Sequence, residues 1–128
     1  LIFDGVLERY PGLKICVAHG GGYLPAYSGR MDHAYHTRAD VREGLANPPT
    51  HYLNQFYFDS VVFEDDQLNY LITKYGADHI LLGTDYPYDM GEKDPIGLLC
   101  KVNGLSEEDF AAVQGGNAAR LLNLKQGS

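Results

Sequence analysis

Cysteine is scarce in this sequence, with two among 128 residues. Cys16 lies in the apolar run ICVA and Cys100 follows an apolar Leu pair, so both are predicted to be small core residues. They form no CxxC motif, and two cysteines are too few for a disulfide framework. Because this usage is typical of a reducing compartment, we expect a cytoplasmic protein.

Long apolar runs and an excess of basic residues are also missing. No run approaches the roughly 20 residues that a membrane-spanning helix requires. Ten Lys and Arg stand against 17 Asp and Glu, for a formal charge of -7. Such a surface repels phosphate groups, so neither nucleic acid nor an anionic membrane is an expected partner. The glycines at 20–22 lack a GxGxxG pattern and a P-loop lysine, which argues against a phosphate cradle.

Helical and strand-like patterns alternate along the chain. The predicted helices span 2–10, 24–42 and 64–75, and the predicted strands span 14–18, 56–63 and 79–83, with a proline loop at 47–49. The strand over 14–18 has the pattern of one buried on both faces. Ser106 is predicted to cap a helix reaching Val113, and Asn117 a final helix. Alternation of this kind predicts parallel strands covered by helices.

Three strand–helix units are few for such an architecture. A sheet of three parallel strands leaves two uncovered edges, and a complete (β/α)8 barrel requires about 250 residues. The chain also begins inside an apolar helical pattern and without Met. We therefore expect residues 1–128 to form the C-terminal part, about three βα units, of one larger α/β barrel domain. The alternative is a small domain with a trimmed terminus.

Two polar residues follow predicted strands directly. His19 comes after the first strand and Asp85 just beyond the third. Because residues at the carboxyl ends of barrel strands line the active site, both are predicted to face one site. The alternatives are a buried histidine bonded to a backbone carbonyl and an aspartate that caps the next helix. For Asp59, late in the second strand, only a hydrogen bond is predicted.

Five motifs occur in a fixed order: AHGGG, GR-x-D, FYFDS, LLGTDYP-x-DMGE and GGNAARLL. In that order they resemble the C-terminal part of the amidohydrolase-2 family, and within it the aminocarboxymuconate-semialdehyde decarboxylase and related metal-dependent decarboxylases. The resemblance implies a distorted (β/α)8 barrel of TIM type. It also implies a divalent metal as cofactor, zinc in most members and manganese as the other candidate.

The resemblance also implies roles for individual residues. Asp85 matches the aspartate that ligates the metal and takes part in catalysis, and His19 matches the histidine beside the metal-bound water that acts as acid and base. Arg30 and Arg38 fall where the family has arginines, and some members use an arginine of this segment to bind a substrate carboxylate across the dimer interface. The alternative for both arginines is a solvated helix face. Tyr88 matches an aromatic position near the substrate. A homodimer or higher homo-oligomer is therefore expected.

The sequence departs from the family in its histidines. The family's metal site also needs an HxH pair and a further histidine, whereas the chain has no HxH. Its remaining histidines, His33, His36, His51 and His79, are predicted to be structural or surface residues. We expect this chain alone to be catalytically incompetent.

The expected function of the whole protein is non-oxidative decarboxylation of a conjugated or aromatic small-molecule carboxylic acid. A hydratase or hydrolase of the same superfamily is the first alternative. A non-catalytic α/β module that associates through its sheet edges is the second.

Overall fold

The computed structural model describes residues 1–124 and divides the chain into two compact units. The first unit combines Leu1–Ile15 with Gly22–Phe56, and the second combines Cys16–Gly21 with the chain from Tyr57 onward. Among the described residues, no helix combines the length and the apolar character that crossing a membrane requires.

The first unit is helical. Its helices are α1 (Val6–Arg9), α2 (Leu24–Thr37), α3 (Ala39–Arg42) and α4 (Pro49–Leu53). The carboxylate of Asp32 on α2 accepts hydrogen bonds from the backbone nitrogen of Thr50 at 2.9 Å and from its hydroxyl at 2.6 Å. This contact fastens α4 to α2, and buried Leu7, Tyr52 and Leu53 provide the core of the unit.

Three predicted elements of the first unit need correction. The helix over 2–10 is shortened because Gly5, with φ 67°, starts α1 only at Val6. The helix over 24–42 is divided because Arg38 adopts an extended backbone between α2 and α3. The proline loop is shorter than predicted, since Pro49 begins α4, a position where the fixed φ of proline suits a helix.

The second unit contains a parallel sheet in the order β1-β2-β3. Its strands are β1 (Cys16–Val17), β2 (Tyr57–Asp59) and β3 (Ile80–Leu81). Phe58 pairs with Val17 on one side and Ile80 on the other. Its helices are α5 (Asp65–Tyr75), α6 (Pro95–Cys100), α7 (Glu107–Ala111) and α8 (Asn117–Leu121). The predicted parallel alternation is confirmed, although each strand is shorter than its pattern.

Helix α5 confirms the helix predicted over 64–75 and differs from it by one residue at its start. Leu68, Leu71 and Tyr75 are buried on one face of the helix, and Phe58 and Ile80 of the sheet are also buried. Asp65 and Asp66 occupy the first turn, where the helix dipole favours negative charge. Gly76, with φ 92°, follows the last helical residue. The helix thus ends at Tyr75, the last residue of its predicted span.

The two cysteines are exposed, so their prediction as core residues is wrong. Strand β1 lies at the edge of the sheet, and its residues are exposed or half-buried instead of buried on both faces. Cys100 follows the buried pair Leu98 and Leu99 on α6. Because each helical residue advances about 100° around the axis, the third residue of this run faces away from the core.

The C-terminal helices confirm one cap and correct another. The Ser106 hydroxyl accepts the Asp109 backbone N–H at 3.0 Å, as predicted for the cap of α7. Asn117, however, has helical angles of -64° and -45°, because α7 continues through a π turn (Ala112–Gly116) into α8. Its side chain is fully buried and donates to the carbonyl oxygens of Ala77 and Ile80, each at 2.7 Å. Asn117 therefore ties α8 to β3.

Candidate active site

His19 lies immediately beyond β1, in a short 3₁₀ turn (His19–Gly21). His19, Gly20 and Gly21 have φ values of 55°, 60° and 80°. A Cβ at Gly20 would collide with Val62 and lie 3.0 Å from Leu71 Cδ1. Glycine is therefore required at position 20 both by its backbone and by its neighbours.

Asp85 lies beyond β3 and also has a left-handed backbone, with φ 57°. The loop that carries it is closed by backbone hydrogen bonds. The N–H of Tyr88 donates to the carbonyl of Asp85 at 3.0 Å, and the N–H of Glu92 donates to the carbonyl of Thr84 at 2.8 Å. A β-turn and a wider closure therefore fix the backbone on both sides of the carboxylate.

The two residues meet at the carboxyl end of the sheet. His19 Nε2 lies 3.7 Å from Asp85 Oδ2, with side-chain exposures of 65% and 33%. This separation is longer than a hydrogen bond, so both groups can still bind a third partner. A buried histidine is excluded by the exposure of His19. A helix-capping role for Asp85 is excluded because Asp94 caps α6, accepting the Gly97 N–H at 2.9 Å.

The end of β2 lies between these residues in the sheet. Asp59 Oδ1 accepts the N–H of Gly20 at 2.9 Å and that of Val61 at 3.1 Å, which confirms the hydrogen bond predicted for this carboxylate. Ser60, 1% exposed, accepts the N–H of Gly83 through its hydroxyl at 3.0 Å. Ser60 was not predicted as part of the site, and its only sequence signal is its place after Asp59 at the end of a strand.

Tyr88 is exposed on the loop after Asp85. It lines an open cleft of about 660 Å³ that also includes Tyr86, Pro87 and Lys93. Clefts of this size are typical of small-molecule sites. The tyrosine is thus available for contact with a ligand, and its predicted substrate-binding role stays a prediction.

The two predicted arginines belong to the first unit. Arg30 is exposed on α2 and lines a cleft with Phe3, Tyr23 and Tyr27. Arg38 is exposed and binds Asp40 through both carboxylate oxygens, with Nη2–Oδ2 at 2.7 Å and Nε–Oδ1 at 3.2 Å. This hydrogen bonding and the attraction between the charges raise the pKa of Arg38, and the hydrogen bond to Arg38 lowers the pKa of Asp40. A substrate carboxylate at Arg38 would have to compete with Asp40.

The other histidines lie outside the pair. His33, His36 and His51 are exposed, and the ring of His79 stacks on Tyr57 with centroids 5.0 Å apart. These placements agree with the structural or surface roles predicted for them.

The pair offers suitable donors for a divalent ion, but only some of those needed. Carboxylate and imidazole are ligand types that zinc and manganese accept. Within residues 1–124, no three His, Cys, Asp or Glu side chains come together as a metal site. The residues present therefore fit one side of a metal centre, and further donors are required to complete it.

Comparison with known proteins gives a consistent result along the whole described chain. The sequence profile of the amidohydrolase family matches residues 1–124. The chain is 39% identical over 126 residues to the 2-amino-3-carboxymuconate-6-semialdehyde decarboxylase of Dictyostelium discoideum, covering 97% of this chain and 35% of that protein. It is 32% identical over 127 residues to the enzyme of the same name from Caenorhabditis elegans, covering 98% of this chain and 32% of that protein. The chain thus spans about a third of the length of these curated relatives.

A solved structure gives the same result for the fold. The dihydroxybenzoic acid decarboxylase from Polaromonas sp., with bound manganese and the inhibitor 2-nitroresorcinol, superposes with a TM-score of 0.84 at 29% identity. The match covers 99% of this chain and 39% of that one, which confirms the expected fold class, part of an α/β barrel. The His19–Asp85 pair thus lies in a chain that belongs to the amidohydrolase family.

Proposed function

We propose that the protein carrying this chain is a metal-dependent, non-oxidative decarboxylase of a conjugated or aromatic carboxylic acid. The observation that carries this proposal is the 3.7 Å approach of His19 Nε2 to Asp85 Oδ2 at the carboxyl end of the sheet. It is supported by relatives that are named 2-amino-3-carboxymuconate-6-semialdehyde decarboxylase and dihydroxybenzoic acid decarboxylase.

Asp85 is the residue of this chain that would hold the metal. A divalent ion held there would supply a Lewis acid and would make water acidic enough to ionise near neutral pH. Zinc is the ion expected from the sequence resemblance, whereas the Polaromonas enzyme was solved with manganese. Metal analysis of the purified protein decides between the two ions.

His19 moves a proton at Nε2 in the proposed reaction, since imidazole exchanges protons readily near neutral pH. Protonation of the carbon that bears the carboxylate interrupts the conjugation of the substrate. The carbon–carbon bond to the carboxylate then breaks, its electron pair restores the conjugation, and carbon dioxide leaves. The added proton takes the place of the lost carboxylate.

Arg30, Arg38 and Tyr88 bind the substrate in this proposal. A guanidinium suits a carboxylate because its planar fork donates to both oxygens. Arg30 is favoured over Arg38, since Arg38 already binds Asp40. Substrate binding across subunits would make the protein a homodimer or a higher homo-oligomer.

The chain forms the C-terminal part of a single barrel domain in this proposal, supported by its coverage of about a third of the curated relatives. The remaining metal ligands then come from the earlier barrel units. A cytoplasmic location is supported by the two free cysteines.

The test uses the complete product of the natural gene. The wild-type protein should release carbon dioxide from a panel of conjugated and aromatic carboxylic acids and carry a stoichiometric divalent metal. Asp85→Asn should lose metal and activity together, whereas His19→Asn should retain the metal and lose at least about 100-fold in kcat. Asp66→Asn, an equal change of charge at an exposed position on α5, serves as the control and should resemble the wild type.

Three results would contradict the proposal. Water addition or bond hydrolysis without release of carbon dioxide would assign the protein to the hydratases or hydrolases. Full metal content in Asp85→Asn would exclude this carboxylate as a ligand. Activity in His19→Asn equal to that of the wild type would exclude the histidine as the proton carrier.

A further inference from the structure

We propose that Asp59 and Ser60 are positioning residues that hold His19 and Asp85 beside each other. The inference rests on the proposed function for its kinetic consequences, but its structural content can be tested separately. Strand β2 is the middle strand of the sheet, between the strand that precedes His19 and the strand that precedes Asp85. The end of β2 is therefore the one place in the described sheet from which consecutive side chains can reach both loops.

Asp59 holds the turn of His19. Its Oδ1 accepts the N–H of Gly20 at 2.9 Å, and Gly20 is bonded directly to His19 in the chain. The chain here runs through four consecutive residues with positive φ, from His19 to Gly22, so its N–H groups do not follow the hydrogen-bond pattern of a strand. The same oxygen accepts the N–H of Val61 at 3.1 Å, which orients the carboxylate.

Ser60 holds the chain that leads to Asp85. Its hydroxyl accepts the N–H of Gly83 at 3.0 Å, and its own N–H donates to the carbonyl of Leu81 at 3.0 Å. The two bonds fix Leu81, the last residue of β3, and Gly83, which lies two positions before Asp85. The hydroxyl is shielded from water because Ser60 is 1% exposed.

Gly83 permits this close approach. A Cβ at Gly83 would lie 3.0 Å from Val61 Cγ2 and 3.2 Å from the Cβ of Asp59. A side chain at position 83 would therefore require Val61 or Asp59 to shift by a few tenths of an ångström. The FDS and LLG segments are distant in the sequence. They pack closely at this contact because position 83 has no side chain.

The two residues should have separable effects. Loss of the Asp59 acceptor releases His19, which moves a proton, while Asp85 and its metal stay in place. Loss of the Ser60 acceptor releases the Asp85 loop, so metal affinity itself should fall. A simple loss of stability would change both properties together and would not separate the two positions.

The experiment compares Asp59→Ala, Asp59→Asn and Ser60→Ala in the complete gene product, with Asp66→Asn as the matched charge control. Asp59→Ala should lower kcat by about 100-fold with little change in KM and leave Mn²⁺ affinity unchanged. Ser60→Ala should weaken Mn²⁺ binding by about tenfold, as loss of support for a ligand does. Asp59→Asn keeps an oxygen acceptor and should restore most of kcat. Amide hydrogen exchange should accelerate at Gly20 only in Asp59→Ala and at Gly83 only in Ser60→Ala.

Three outcomes overturn the inference. If Asp59→Asn is as impaired as Asp59→Ala, the charge of Asp59 matters and not its acceptor. If Asp59→Ala loses Mn²⁺ as Asp85→Asn does, Asp59 is a ligand. If exchange at Gly20 and Gly83 is unchanged in the two Ala variants, neither side chain holds its loop. The exchange measurement decides even for a wild-type protein that releases no carbon dioxide, so failure of the proposed function is distinguished from failure of this inference.

Discussion

His19 Nε2 lies 3.7 Å from Asp85 Oδ2, and both residues have left-handed backbones, with φ values of 55° and 57°. For a residue other than glycine this conformation costs about 1–2 kcal/mol. Such strain persists only where the surroundings enforce it, and it is concentrated at functional sites. A hydrogen bond to a charged acceptor contributes about 1.5–3 kcal/mol. The bond from Gly20 to Asp59 is therefore large enough to hold the His19 turn in its strained form.

The strain at position 19 predicts an unusual order of stabilities. Glycine adopts positive φ without steric cost, so His19→Gly should be more stable than His19→Ala by about 1 kcal/mol. Both variants should lack activity. Chemical denaturation of the metal-free protein measures the difference.

His51 provides the control for this comparison. It is also an exposed histidine, but it lies in helix α4. There the order should be reversed, with Ala more stable than Gly by about 1 kcal/mol. The same order at both positions would contradict a strained backbone at His19.

The two residues of the candidate site, His19 and Asp85, were predictable from the sequence, whereas their backbone conformations were not. His19 and Asp85 follow short apolar runs, and parallel strands bring their carboxyl ends to one edge. Their left-handed backbones leave no such signal, since neither residue type by itself indicates a positive φ. Ser60 was missed because a hydroxyl at a strand end has many ordinary roles, and its partner Gly83 is 23 residues away.

The errors in the fold have a common physical origin. Apolar runs predict burial without saying how many residues form ladder hydrogen bonds, so the strand predicted over 56–63 shrinks to Tyr57–Asp59. Cys16 lies in such an apolar run, but it is exposed on the edge strand β1, since an apolar run does not say whether other elements cover the strand. Asn117 was expected at a cap by its residue type, but its long-range bonds to Ala77 and Ile80 decide its place. The residues next to Asn117 in the sequence do not indicate hydrogen-bond partners that lie about 40 positions away.

The glycine run after His19 offers a second test. Gly20 and Gly22 have nearly equal φ values, 60° and 59°, but only Gly20 has neighbours in the space that a Cβ would fill. Gly22→Ala should cost about 1–2 kcal/mol from the backbone alone. Gly20→Ala adds a collision with Val62 and should cost about 2–4 kcal/mol. Denaturant unfolding of both variants gives the two values, and equal values would mean that Val62 and Leu71 yield without cost.

Asn117 should be a main determinant of stability in the second unit. Its replacement by Ala leaves the carbonyl groups of Ala77 and Ile80 without the bonds that its amide donates at 2.7 Å. Because these groups are buried, Asn117→Ala should destabilise the protein by about 2–4 kcal/mol. Asn69→Ala, at an exposed position of α5, is the helical control and should stay within about 0.5 kcal/mol of the wild type. An equally small effect at Asn117 would show that other contacts hold α8 on β3.

The thiol of Cys16 reports on the charge of Asp59. Partial burial raises the pKa of this thiol, and the neighbouring carboxylate of Asp59 raises it further. Only the thiolate reacts with iodoacetamide, so in a Cys100→Ser background the alkylation rate should rise with pH through a midpoint above that of an ordinary thiol. Asp59→Asn removes the repulsion and should move this midpoint to lower pH, although not back to the ordinary value, because burial is the larger cause. Asp66→Asn should leave this midpoint unchanged.

A midpoint that is unchanged or higher in Asp59→Asn would mean that the carboxylate does not act on Cys16. A shift to lower pH would instead verify the negative charge beside the His19 turn independently of any catalytic assay.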